Sequence, residues 1–236
     1  MIDVIYLAAG QGKRARLGYP KQFARLGGKP IMIHALEILQ SMKEIAQIIV
    51  VCPGRREGSP QMWMVEKTVL QYHITKAIFV EGGKTRQESV SCGLEYVNSE
   101  YVLVTEAVRP FISVAFVREI IRLEADFVTP ISASVASVIE WGDGTEGSSW
   151  ARSIPREKVG QVQMPQKYET CLLREAHRKA IGKGEYNMTD DAVLVMKMMD
   201  VYPEIVKGLE ENIKITTPLD LEIAEAIHRS RYGKGE

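Results

Sequence analysis

Short apolar runs alternate along the first half of the chain with longer segments whose apolar residues recur every three or four positions. The runs "DVIYLAA", "QIIVVC", "KAIFVEGG" and "YVLVTEA" are β-branched and nearly unbroken, the pattern of strands buried on both faces of a parallel sheet. Between and after them, "PIMIHALEILQSM", "QESVSCGLEYV" and "SVAFVREIIRLEA" carry helical spacing. This alternation predicts an α/β fold: a Rossmann-like, mostly parallel sheet with flanking helices, joined by right-handed crossovers. Ligands of such sheets sit beyond the C-terminal strand ends, where the loops gather.

The rhythm changes at "SVIEWGDGTEGSSWARSIPREKV", where alternating apolar positions flank a glycine-rich centre, as in a hairpin. The segment is too long for a routine connection, so a protruding β-arm is expected at about 136–164. Two helices follow, "KYETCLLREAHRKAI" and "TDDAVLVMKMM". The last helix is opened by Thr217, Pro218 and Asp220: a hydroxyl N-cap, proline at N1 and a first-turn acid. No repeat, low-complexity tract or linker divides residues 1–236, which are read as one domain with an arm.

At 236 residues the chain can bury a stable core without staples. Lys+Arg and Asp+Glu both count 30, giving net +0, so no global field holds nucleic acid or an anionic membrane. Cys52, Cys92 and Cys171 form no CxxC pair, which argues against a disulfide framework or zinc site and fits a reducing cytoplasm. The N-terminus lacks the basic region and long apolar stretch of a signal peptide, and no run is long enough to cross a bilayer. A cytoplasmic protein is expected. His34, His73, His177 and His228 have no ligand spacing and sit in helix-like text, so they are read as structural. Trp141 and Trp150 fall in the arm and suit a subunit contact.

With no global field, any anion must be held locally, and "LAAGQGKRARLGYPKQF" is the place for it. Lys13, Arg14, Arg16 and Lys21 crowd together there and repel one another unless an anion sits among them. Gly10-x-Gly12 lacks the third glycine of a dinucleotide fingerprint, which disfavours a nicotinamide-dependent oxidoreductase. Lys13 precedes Arg14 rather than Ser or Thr, so the Walker pattern fails too. Two readings remain. One is a tight strand-to-loop turn with solvated basic residues. The other is a backbone cradle around Ala9 to Gly12 that wraps a triphosphate, with Arg14 and Lys21 neutralising it.

The stretch resembles the signature of the cytidylyltransferases typified by 2-C-methyl-D-erythritol 4-phosphate cytidylyltransferase, roughly AAGxGxR followed by PKQ. The likeness continues through "EGGKTRQESV" (that family's GGxxRxxSV loop), "EAVRPF", "IPREKVGQVQMPQ", "MTDDA" and "ENIKITTPLDL", in order over nearly the whole chain.

That resemblance implies the following assignments. Ala8, Ala9, Gly10 and Gly12 would lie along CTP, while Gly82, Gly83 and Ser89 read the cytosine. Thr85 and Glu88 have capping-box spacing, which by itself explains a helix start there. Arg14, Lys21 and Lys214 would hold the phosphates and stabilise charge during transfer. Glu106 and Arg109 would fix the acceptor, and Glu106 and Glu211 would face Mg2+. Arg156, from the arm of a partner in a homodimer, would reach the acceptor phosphate. Thr189, at a helix N-cap, would bind the same phosphate. Asp190 and Asp191 read as ordinary first-turn acids.

Three positions depart from the pattern. Thr105-Glu106 stands for His-Asp, Met164 for a threonine and Glu211 for an aspartate, all on the acceptor side. The expected acceptor is 2-C-methyl-D-erythritol 4-phosphate, with ribitol 5-phosphate or another sugar-alcohol phosphate or phosphonate as the alternative. A nucleotide-binding protein without turnover is the alternative from another class.

Overall fold

The computed structural model describes residues 1–10, 19–54, 62–142 and 151–233. Its centre is an eight-stranded sheet. Strand β1 (Ile2–Leu7) pairs in parallel with β4 (Ile45–Cys52) on one side and β6 (Tyr101–Glu106) on the other, and β4 pairs in parallel with β5 (Ala77–Glu81). Beyond β6 lies β11 (Gln166–Glu169), antiparallel to both β6 and β7 (Phe127–Ala133). Strand β7 also takes β12 (Glu204–Lys207) in parallel on one edge and β10 (Gly160–Val162) antiparallel on the other, both meeting it at Ile131.

The unbroken apolar runs have a direct physical cause: both faces of the sheet are covered. Val4 and Tyr6 of β1, with Ile48, Val50 and Leu103, face α1 (Ile31–Ser41), α2 (Met62–Gln71) and α4 (Val114–Arg122). Ile5, Ile49, Val51, Val102 and Val104 face α3 (Arg86–Leu94), α5 (Thr170–Gly182) and α6 (Asp191–Met199). A smaller cluster of Leu26, Ile31, Phe111, Ile215 and Ala224 seats α7 (Pro218–Tyr232) against the short hairpin of β2 (Arg25–Leu26) and β3 (Lys29–Pro30).

The sequence expectation differs from the structure in identifiable places. The helix expected from Lys167 begins only at Thr170, because Gln166–Glu169 is recruited as β11 between two strands short of a partner. His73 lies in a turn with φ 53° rather than in a helix. The arm is a hairpin of β8 (Val138–Trp141) with β9 (Ala151–Ile154), but Gly160–Val162 already belongs to the main sheet, so the projection is shorter than expected.

The chain order creates the crevice that matters. From β1 the chain crosses to β4 on one side, and from β6 it crosses through α4 to β7 on the other. Connections that leave neighbouring strands in opposite directions open a cleft between them at the C-terminal edge.

Candidate active site

The loop after β1 borders that cleft. Ala8 is buried and donates its N–H to Val51 O at 2.9 Å, while its own carbonyl accepts from Gln22 Nε2 at 3.0 Å. Ala9 is half-buried, and Gly10 is exposed with open space where a Cβ would stand. Gly12 and Arg14 lie outside the described residues, as do Lys13 and Arg16. Lys21 opens a 3-10 turn, Lys21–Phe23, that follows Pro20. The residue is 8% exposed, and its charge helps lower the pKa of Asp220 on α7. Gln22 thus ties the lysine turn to the β1 loop, a role the sequence reading did not assign.

At the end of β5, Gly82 donates to Cys52 O at 2.8 Å; a Cβ there would stand 2.9 Å from Ser89 Oγ and 3.0 Å from that carbonyl. A Cβ on Gly83 would collide with Glu88. Thr85 caps α3, its hydroxyl accepting from Glu88 N, but the Glu88 carboxylate accepts from Lys84 N, one residue before the cap. Ser89 Oγ donates to Thr85 O at 2.8 Å and keeps its lone pairs.

Glu106, the last residue of β6, meets two cations. Arg109 Nε donates to Oε1 at 3.0 Å, and Lys214 Nζ stands 2.7 Å from Oε2. Burial alone would raise the carboxyl pKa; Lys214 and Arg109 outweigh it and hold the group below the usual range, so Glu106 is ionised. The Arg109 guanidinium is occupied by the protein itself, also donating to Asn212 O at 2.6 Å and Val162 O at 3.4 Å. Asn212 in turn donates to Met164 O at 2.7 Å, and Gln163 exchanges bonds with Leu209 at 2.8 and 3.0 Å. This lattice fixes the segment that presents Lys214, whose side chain is 38% exposed. The Glu211 carboxylate faces Arg231 of α7.

The Thr189 expectation needs correction. The N-cap of α6 is Asp190, which accepts from Ala192 N at 2.8 Å; Thr189 is exposed one residue earlier. Nor is Asp191 an ordinary first-turn acid. It is 1% exposed and pairs with Arg86 Nη2 at 2.7 Å, with His177 Nε2 3.4 Å away. Burial would raise its pKa, but Arg86 and the adjacent His177 bring it down to about 2. The first turn of α3 is sewn to the segment before α6: Thr85 Oγ1 donates to Tyr186 O at 3.0 Å, Gln87 Nε2 to Glu185 O at 2.8 Å, and Met188 N to Gln87 Oε1 at 2.8 Å. The turn after β5 and the loop carrying Thr189 therefore move as one piece.

Arg156 is exposed at the foot of the arm, in the 3-10 turn Arg156–Lys158. Among the described residues, no group of three or more His, Cys, Asp or Glu is arranged to hold a metal ion.

What the arrangement offers is a cleft edged by ammonium groups, with one ionised acid and glycine backbone on its floor. That suits binding and alignment of a polyanion, and nothing described resembles an activated protein nucleophile facing the cleft.

Comparison with known proteins bears on this geometry. The family model described as 2-C-methyl-D-erythritol 4-phosphate cytidylyltransferase matches residues 2–230. A protein of that description from Geobacillus thermodenitrificans is 36% identical over 235 residues, covering 98% of this chain and 99% of its own length. Another from Halalkalibacterium halodurans is 34% identical over 227 residues, 95% and 96% of the two chains. The crystal structure of the Thermus thermophilus protein of that name superposes with a TM-score of 0.74 at 31% identity, covering 97% of this chain and all of that one.

Proposed function

The chain belongs to the family of 2-C-methyl-D-erythritol 4-phosphate cytidylyltransferases, and on that premise we propose that it transfers the cytidylyl group of CTP to 2-C-methyl-D-erythritol 4-phosphate. It is a CTP-dependent nucleotidyltransferase acting in isoprenoid precursor synthesis. The relatives named above carry that activity in their names, so ribitol 5-phosphate and a non-catalytic role are not favoured.

In the reaction, an acceptor phosphate oxygen bonds to the α-phosphorus of CTP while the bond to the β-phosphate oxygen breaks and pyrophosphate leaves. The attacking phosphate is largely ionised near neutral pH, so no general base is needed. The protein's work is alignment and charge stabilisation. The observation that carries the assignment of roles is the Glu106–Lys214 contact at the end of β6, beside the end of β1, whose following loop Gln22 ties to the Lys21 turn. Lys21 and Arg14 would grip the triphosphate, and Lys214 would meet phosphate oxygens once it exchanges Glu106 for them. Backbone at Ala8, Ala9, Gly10 and Gly12 would run beside the nucleotide, and Gly82, Gly83 and Ser89 would read its base. Arg109 would act on the acceptor by orienting Glu106, and Thr189 with a partner's Arg156 would face the acceptor phosphate.

Mg2+ belongs to the same proposal, since the ion takes one or two carboxylates together with phosphate oxygens. Glu106 fits that demand in charge and position; Glu211 fits in charge, its carboxylate now holding Arg231. When bound, the ion would offset charge on the departing pyrophosphate. A cytoplasmic location is proposed on the strength of three free cysteines.

The test is pyrophosphate release from CTP with 2-C-methyl-D-erythritol 4-phosphate or ribitol 5-phosphate as acceptor. Release with the first, and a fall of about a hundredfold or more in kcat/KM for Arg14→Ala and Lys21→Ala, is the expected result. No release with that acceptor, or full rates in both variants, would overturn it.

A further inference from the structure

A cavity of about 580 Å3 opens at the N-terminal ends of the strands, opposite the cleft. It lies between the starts of β1 and β6, the end of α4 and the start of β11, and that volume falls within the range of small-molecule sites. From Tyr101 in its wall to Glu106 at the other end of β6 is about 17 Å at the usual rise per residue.

Its walls are apolar: Ile2 at the start of β1, the Tyr101 ring, and Ile121 and Leu123 at the end of α4. Its charge is mostly positive. Lys167 is 3% exposed, yet it stands on a strand where an apolar side chain would close the space. Its ammonium donates to Leu123 O and lies 4.5 Å from the centre of the Tyr101 ring. Burial lowers its pKa despite Asp126, Glu204 and Glu124 nearby. Lys43 and Arg122 are exposed at the mouth, and neither makes an ion pair among the described residues. Of the two acids in the lining, Glu44 is held by Arg118 at 2.7 Å, so Glu124 is the lining acid left to face Lys43, Arg122 and Lys167, while Asp126 and Glu204 lie near Lys167 outside the lining.

We propose that this cavity is a second ligand site, for a small amphipathic anion whose flat apolar body lies on Ile2, Ile121 and Leu123 and whose acid group meets Lys167, Arg122 and Lys43. It is separate from the nucleotide site, and CTP does not compete for it. A carboxylate or a phosphate supplies charge of the required sign.

The probe is 8-anilinonaphthalene-1-sulfonate, an aromatic body with one anionic group, titrated by fluorescence against the full chain with and without saturating CTP. One saturable site that CTP leaves unchanged is expected. Naphthalene-1-carboxylate and 1-naphthyl phosphate displace the probe, and the tighter of the two identifies the preferred acid group. Neutral 1-naphthalenemethanol displaces it about tenfold more weakly, as loss of a charge-assisted contact implies. The exposed double variant Lys43→Glu/Arg122→Glu weakens the probe about fivefold or more, with turnover of CTP retained. Leu123→Trp, which places a larger side chain against the expected position of the apolar body, also weakens the probe about fivefold or more. Displacement by CTP, equal displacement by the neutral alcohol, or unchanged affinity in both variants would overturn the proposal.

Discussion

Asp191 and Glu106 are both buried carboxylates, and both stay ionised because a cation reaches each of them. For Asp191 the consequence is measurable. Its pKa falls on folding from 3.8 to about 2, so its contribution to stability is complete above the unfolded value and is lost as pH drops through the folded one. The size is about 2 kcal/mol, appearing between roughly pH 4 and pH 2. Asp191→Asn should flatten acid unfolding in that window. It should also cost about 3–5 kcal/mol at pH 7, because Arg86 is left as an unpaired buried charge. Urea unfolding across that pH range reads both effects, and an unchanged midpoint at pH 7 would remove the role assigned to the pair. This pair was not legible in the chain. Two acids before an apolar helix look like any first turn, and only tertiary packing against Arg86, 105 positions away, makes one of them a buried ion. By contrast Lys21, Glu106 and Lys214 could be proposed from the chain because their motifs are local, although the direct Glu106–Lys214 contact could not.

The central strands could be read because burial on both faces leaves an apolar run with no polar interruption. The strands that escaped are those packed less evenly: β7 contains Pro130, β11 reads Gln-Lys-Tyr-Glu, and β12 is an exposed edge with polar ends. Gln166 and Lys167 are buried polar residues on β11, which no periodicity rule anticipates. The start of α7, by contrast, was written in local chemistry. Thr217 accepts from Asp220 N, and Asp220 Oδ2 accepts from Thr217 N at 2.7 Å. Burial alone would raise the Asp220 pKa, but the backbone donors of Thr217 and Thr216 bring it below the usual value. Thr217→Ala should destabilise the protein by about 1 kcal/mol, while Thr217→Ser, which keeps the hydroxyl, should cost much less. Equal losses in the two variants, measured by denaturant unfolding, would mean that the threonine methyl rather than the cap matters.

At the scale of the whole molecule, the arm poses a question the single chain does not answer. Among the described residues, strands β8 and β9 pair only with each other, and a lone two-stranded ribbon is marginal in water. Ile139 and Trp141 are 53% and 48% exposed on it, and in the proposed homodimer a second copy would cover them. Such a dimer would carry Arg156 away from its own cleft and towards its neighbour's, a claim that subunit mixing tests directly. Arg156→Ala and Lys214→Ala chains should each be nearly inactive alone. If Arg156 serves the partner, a heterodimer of the two variants contains one site with both side chains intact. Random reassortment of an equal mixture makes half the dimers mixed, with half of their sites complete, so about a quarter of the wild-type rate returns. If Arg156 serves its own cleft, every site in every dimer lacks one residue and nothing returns. Light scattering on the same mixture separates that outcome from failure to pair, since a monomer would remove the arm's role altogether.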